Sequence, residues 1–191
     1  MTPMNQAFND ATNCIAARIF PLGFDVCRAA PNTMAELETA LNIHGRMAIW
    51  DGEREDTCFA DTETWRQFRA WHDWVHYRYD CAFSLPGEHK ALHIQAGQLM
   101  RLFGRGEDVA EMIALMFCNI VGPLEAAEEG LPKVSGREFC EAHVGDWRTY
   151  AAEIVAKQGP TDVDAIAFSA DAYEMRRRLG PPVLGHQKST T

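Results

Sequence analysis

The sequence lacks the features that mark several large classes of protein. No apolar run reaches the roughly 18 residues of a membrane span, and the polar residues 1–6 lack the basic and apolar regions of a signal peptide. No two of the six cysteines have the spacing of a zinc knuckle or a thioredoxin-like motif, so we expect reduced thiols. We therefore expect a soluble cytoplasmic protein that makes no use of a membrane.

Basic residues are scarce as well. The chain has 18 Lys and Arg against 27 Asp and Glu, which gives a formal net charge of -9. A surface of that sign repels a phosphate backbone, so no general nucleic-acid binding is expected. With 47% hydrophobic residues among 191 and no internal repeat, the composition is typical of one globular domain with a single core.

Capping residues and helical periodicity predict an all-α, single-domain bundle of about six or seven helices. Residues 46–51 are predicted to form one short extended segment before a turn. The predicted domain covers residues 1–182, of which 1–32 could form a packed N-terminal arm, and residues 183–191 are predicted to be a flexible tail. The predicted helices lie at about 8–20, 33–42, 62–79, 84–104, 108–122, 135–157 and 161–179, the fifth being ended by Gly122 and Pro123.

Four of the seven histidines form two pairs. His72 and His76 are four residues apart on one predicted helix, and His89 and His93 have the same spacing on the next. Residues at this spacing lie one turn apart on one face, so each pair can offer two imidazoles to one ion.

A carboxylate adjoins each pair, since Asp73 follows the first histidine and Glu88 precedes the second pair. The linker 77–87 is short enough to fold the two helices into an antiparallel hairpin, so the two sets could face each other. We therefore predict a site for a divalent Zn, Mn or Fe ion. The predicted ligands are His72, Asp73, His76, Glu88 and His93. A plain Glu–His hydrogen bond in the core would satisfy the same carboxylate without a metal.

One block resembles a known group of sequences. The run FRAWHDWVH at 68–76, followed by FSLPGE at 83–88, is similar to small uncharacterised proteins of tailed phages and prophages. Those proteins carry R-A-x-H-D, a further His and then F-x-x-x-G-E. The resemblance covers about 21 residues and implies a viral origin, and hence the host cytoplasm, but no activity.

The motif His72-Asp73-x-x-His76 is also similar to the core of HD-domain phosphohydrolases, which are all-α metal enzymes with the pattern H…HD…D. That resemblance implies His44 as the first ligand, His72 and Asp73 as the doublet and Asp146 as the last ligand. The chain departs from the family at His44, which lies beside a glycine and near the extended segment rather than inside a predicted helix.

These residues favour a metal-dependent hydrolase that acts on a phosphorylated small molecule such as a nucleotide. Metal-bound water would supply hydroxide, and Glu88 or Asp146 would act as the catalytic group that moves the proton. One alternative is a helical di-iron oxidase or oxygenase, although the chain has no E-x-x-H motif. The other is a non-enzymatic, phage-encoded binding or accessory protein with a structural His/acid cluster, acting through its surface or as a homodimer.

Overall fold

The computed structural model describes residues 3–28, 31, 33–51, 57–132 and 134–164. These residues form six helices and two short strands, which confirms the predicted all-α class. In chain order they are α1 (Gln6–Ile19), β1 (Asp25–Cys27), α2 (Met34–His44), β2 (Ala48–Trp50), α3 (Thr62–Arg78), α4 (Leu85–Phe103), α5 (Glu107–Glu128) and α6 (Gly136–Lys157). Residues 161–164 are not helical, and both the rest of the predicted last helix and the predicted tail lie outside the described residues.

Side-chain caps begin five of the six described helices. In each, a side-chain oxygen accepts a backbone N–H of the first turn, which stabilises a helix by about 1 kcal/mol. The predicted starts of α3, α4 and α6 are thereby confirmed. The capping residues are Asn5, Thr33, Asp61, Ser84 and Ser135.

The predicted end of α5 is wrong. The helix continues through Pro123 to Glu128, although proline has no N–H to give to the carbonyl of Asn119. Packing outweighs this loss, because the bare backbone of Gly122 lies directly against the Phe139 ring of α6. The last turns of α5 are therefore held beside the start of α6.

The strands form a two-stranded parallel sheet in which Val26 pairs with Ile49, and α2 connects the two. The predicted extended segment at 46–51 contains β2. The sequence analysis missed β1, whose three residues are too few to show an alternating pattern.

One continuous core joins the helices. Helix α3 packs against α1 and α4, and α5 packs against α4 and α6. By length and composition α5 is long and apolar enough to cross a membrane. However, 61% of the 18-residue stretch that meets this test is buried inside the fold. Through this packing His72 of α3, Glu88 at the start of α4 and several residues at the end of α5 line one cavity.

Candidate metal centre

Three predicted ligands meet where α3 and α4 fold back on each other. The Nε2 atom of His72 lies 2.9 Å from Oε2 of Glu88, and Nε2 of His76 lies 3.2 Å from the same oxygen. The two Nε2 atoms are 3.1 Å apart. Both histidines are buried, and the Glu88 side chain is 12% exposed. The helical hairpin therefore brings one imidazole pair and one carboxylate to a single point, as predicted.

Aromatic rings hold both imidazoles in place. The ring of His72 is stacked on Phe68 at a centroid distance of 5.9 Å, and that of His76 is stacked on Phe83 at 4.6 Å. Such stacking restricts the ring orientations that each histidine can adopt.

The position of Glu88 depends on the residue before it. A Cβ atom on Gly87 would overlap the main-chain carbonyl oxygen of Ala82, so the first turn of α4 approaches the α3–α4 linker as only glycine allows. The neighbouring cap, in which Ser84 Oγ accepts the Gly87 N–H at 3.4 Å, fixes the same turn.

Replacing Gly87 with alanine is therefore expected to lower the free energy of unfolding by about 3 kcal/mol, because a backbone carbonyl must move. Gly145→Ala is the matched control: it lies on an exposed face of α6 with open space at its Cβ, and is expected to stabilise by about 1 kcal/mol. Urea unfolding measures both changes. Equal effects of the two substitutions would contradict the proposed close approach.

The second nitrogen of each imidazole donates to a carbonyl oxygen. Nδ1–H of His76 donates to the main-chain oxygen of Cys81 at 2.8 Å, and Nδ1–H of His72 donates to Oε1 of the buried Gln95 at 2.8 Å. These bonds select the tautomer in which Nε2 carries a lone pair. Histidines that bind metals are oriented by the same kind of outer hydrogen bond.

The cluster thus has an excess of acceptors. Two Nε2 lone pairs and a carboxylate oxygen face one another at 2.9–3.2 Å, and neutral imidazoles of this tautomer leave no hydrogen between them. A cation must lie between these atoms for the arrangement to be stable, and it is either a proton or a metal ion.

The shifts in pKa follow from this excess. Burial opposes the charge of Glu88, but hydrogen bonds from His72 and His76 and their charges hold the pKa of its carboxyl far below the usual range. Burial likewise opposes the charge of His76, but the bond to Glu88 and its negative charge raise the pKa of the imidazole. In the absence of a metal, the cluster therefore holds a proton.

Two other predicted ligands do not join this group of three. Asp73 is buried beside it and forms an ion pair with Arg69 at 3.5 Å. His93 bonds instead to Tyr150 and Gln158, at 2.9 and 2.7 Å, and so helps to attach the end of α6 to α4.

Of the residues implied by the HD resemblance, His72 belongs to the cluster and Asp73 lies beside it, whereas Asp146 is apart from it. Asp146 lies on α6 with its side chain 80% exposed, 3.5 Å from His143. His44 is the last residue of α2, and its side chain is outside the described set. Among the described residues, no fourth His, Cys, Asp or Glu completes the three-ligand group.

A cavity of about 490 Å³ opens beside the cluster. His72, Asp73, Glu88 and Arg69 line its polar end, together with Asn119. Most of its remaining wall is apolar and comes from the end of α5 and the segment leading into α6. These residues are Ile120, Pro123, Leu124, Ala126, Ala127, Leu131, Pro132, Val134 and Phe139, with Phe83 from the linker.

The sequence analysis did not predict this cavity, and it did not predict that Gln95 orients His72. Gln95 did give a signal, since it is a polar residue on the apolar stripe of α4. The cavity walls gave no such signal in the sequence, because the residues after Gly122 were expected to lie outside the helix.

Comparisons with protein-family models, with curated proteins and with solved structures find no match for this chain.

Proposed function

We propose that the protein is a metal-dependent hydrolase whose ion is held by His72, His76 and Glu88. The observation that carries the proposal is the convergence of three acceptor atoms beside a cavity. Three protein ligands with one open side are typical of catalytic zinc, whereas structural zinc is closed by four. The paired outer hydrogen bonds of the two imidazoles also support metal binding.

When bound, the ion would lower the pKa of a coordinated water and supply hydroxide near neutral pH. The chain's own residues would then handle the proton. Asp73 lines the same cavity, and its buried Oδ1, which has Arg69 at 3.5 Å, accepts no hydrogen bond. We assign Asp73 as the general base, because Glu88 is used as a ligand and Asp146 lies on the exposed face of α6.

Arg69 lies beside this carboxylate and lines the cavity, so it can receive the anionic part of a substrate. This supports a phosphorylated small molecule as the substrate. The di-iron alternative is less well supported, because such sites use several carboxylates and Glu88 is the one carboxylate in the group of three found among the described residues.

Elemental analysis by mass spectrometry on untagged protein tests the proposal. We expect about one equivalent of a divalent ion in the wild type, and its loss in the His72→Ala/His76→Ala variant. The matched control is His89→Ala/His93→Ala, which removes a pair of the same spacing from α4 and is expected to retain the ion. Circular dichroism checks that both variants are folded.

A protein that remains folded and binds no ion after Zn, Mn and Fe have been added would overturn the proposal. The cluster would then hold a proton, which corresponds to the non-enzymatic alternative in its hydrogen-bonded form. Iron in place of zinc would favour oxidative chemistry, since two histidines and one carboxylate also bind mononuclear iron.

A further inference from the structure

We infer that the substrate is a phosphate monoester of an apolar alcohol, with its phosphate at the metal centre and its apolar group in the cavity. This inference rests on the proposed function and specifies the substrate class of the same site. It excludes nucleoside polyphosphates, which the sequence alone left open.

The shape and lining of the cavity support an apolar group. Its volume of about 490 Å³ falls within the range of pockets that enclose a small organic ligand. The walls beyond the polar end are formed by aliphatic and aromatic side chains, with Ile120, Leu124 and Phe139 among the largest. Such walls offer a ribose or a second phosphate few hydrogen bonds, whereas they bury an alkyl or aryl group favourably.

Apolar side chains of the cavity wall are also unusually exposed. Leu131 is 54% exposed and Leu124 42%, and Phe83 and Val134 are also exposed. All four line the cavity, so they form one apolar patch at its edge rather than scattered surface residues. A patch of this kind is typical of a site that removes an apolar ligand from water.

The charges at the polar end limit the substrate to one phosphate group. Arg69 is the one Lys or Arg among the described lining residues, and it pairs with Asp73, while Glu88 lines the same cavity. Without a metal, Arg69 and the proton of the cluster only balance the two carboxylates, so this end offers an anion no net attraction. A divalent ion that displaces the proton gives this end a small net positive charge, which suits a single phosphate and not a chain of them.

The reaction is balanced with water as the second substrate. The oxygen of water forms a bond to phosphorus, and the bond between phosphorus and the alcohol oxygen breaks. The proton that water gives up ends on the departing alcohol, so the products are inorganic phosphate and the free alcohol. Asp73 is placed to take this proton from water and to pass it on.

Calorimetric binding of octylphosphonate, which cannot be hydrolysed, tests the inference on the zinc-loaded full-length protein. Each buried methylene contributes about a fourfold gain in affinity, so burial of about half of the octyl chain is expected to make octylphosphonate bind on the order of 100-fold more tightly than methylphosphonate. Metal-free protein is expected to lose most of the affinity for both compounds, because its polar end then has no net positive charge to attract the phosphonate.

Two matched leucines test the location. Leu131→Asn, at the edge of the cavity, is expected to reduce octylphosphonate affinity about tenfold and to affect methylphosphonate, which has no chain to reach this wall, much less. Leu22→Asn alters a leucine of similar exposure, 49%, which is not among the residues that line the cavity, and is expected to change neither affinity.

The outcomes separate this inference from the proposed function. Zinc binding at the cluster with equal affinities for the two phosphonates would overturn the apolar substrate and leave the metal site intact. Tighter binding of ADP than of octylphosphonate would do the same. Failure to bind any of Zn, Mn and Fe would overturn the proposed function itself.

Discussion

Asp73→Asn is expected to retain the full metal content of the wild type and to lose about 100- to 10,000-fold in kcat for 4-nitrophenyl phosphate. The amide cannot take a proton from water, whereas the three ligands are left unchanged. The KM is expected to change little, because Arg69 and the apolar walls remain. Elemental analysis and a colorimetric assay on the zinc-loaded protein measure the two quantities.

Two further carboxylates make this prediction specific. Asp10→Asn removes an exposed carboxylate of α1 and is expected to leave kcat unchanged. Asp146→Asn tests the other assignment of the general base, and we expect no loss there because the side chain is exposed on α6. If Asp73→Asn removed the metal, Asp73 would be a ligand, as the sequence analysis predicted. If Asp146→Asn removed the activity instead, the base assigned here would be wrong.

Local signals were sufficient to predict the centre of the site. The spacing of His72 and His76 fixes a common face once the segment is a helix, and the cap at Ser84 fixes where the next helix begins. A short linker then leaves the two helices few arrangements other than an antiparallel hairpin. These local features bring Glu88 within reach of the two imidazoles, and the close approach of Gly87 to Ala82 then fixes its position.

The surroundings of His93, the end of α5 and the cavity depended on packing between distant segments, which a sequence pattern does not encode. His93 has the same spacing from His89 as His76 from His72, yet α6 supplies Tyr150 and occupies it. Pro123 carries the local signal of a helix end, but the contact of Gly122 with α6 outweighs that signal. Because much of the apolar cavity wall lies at or beyond Pro123, the same error concealed the cavity.

Metal-free protein is expected to lose stability as the pH rises above about 6.5, the ordinary value for His76. The pKa of His76 is raised in the folded state, so its contribution is present below 6.5 and is lost as the pH rises through the raised value. The pKa of Glu88 is lowered, so its contribution is present above 4.5 and is lost only as the pH falls through the lowered value. The ion pair therefore stabilises the metal-free protein most between about pH 4.5 and 6.5.

The decline can be as steep as about 1.4 kcal/mol per pH unit, the slope for one proton held by the folded chain and not by the unfolded one. Urea unfolding in the presence of a chelator measures it from pH 6 to 9. Glu88→Gln is expected to remove most of the decline, because His76 then loses its hydrogen-bonded anion and keeps only the weaker attraction of Asp73. Glu125→Gln, which breaks the more exposed pair with His89, is the control and is expected to leave the decline in place.

The metal-loaded protein is expected to lack this decline. Zinc competes with the proton for the same three atoms, so its binding becomes stronger as His76 deprotonates, and the stabilisation that it adds grows with pH. The zinc-loaded fold holds no proton at the cluster, and the unfolded chain holds few well above the ordinary histidine pKa of 6.5, so the total stability stays level there. A cluster that served only as a hydrogen-bonded core would show the decline with and without zinc. A cluster that binds zinc would remove the decline, and the pH at which the two curves separate would report the proton that the ion displaces.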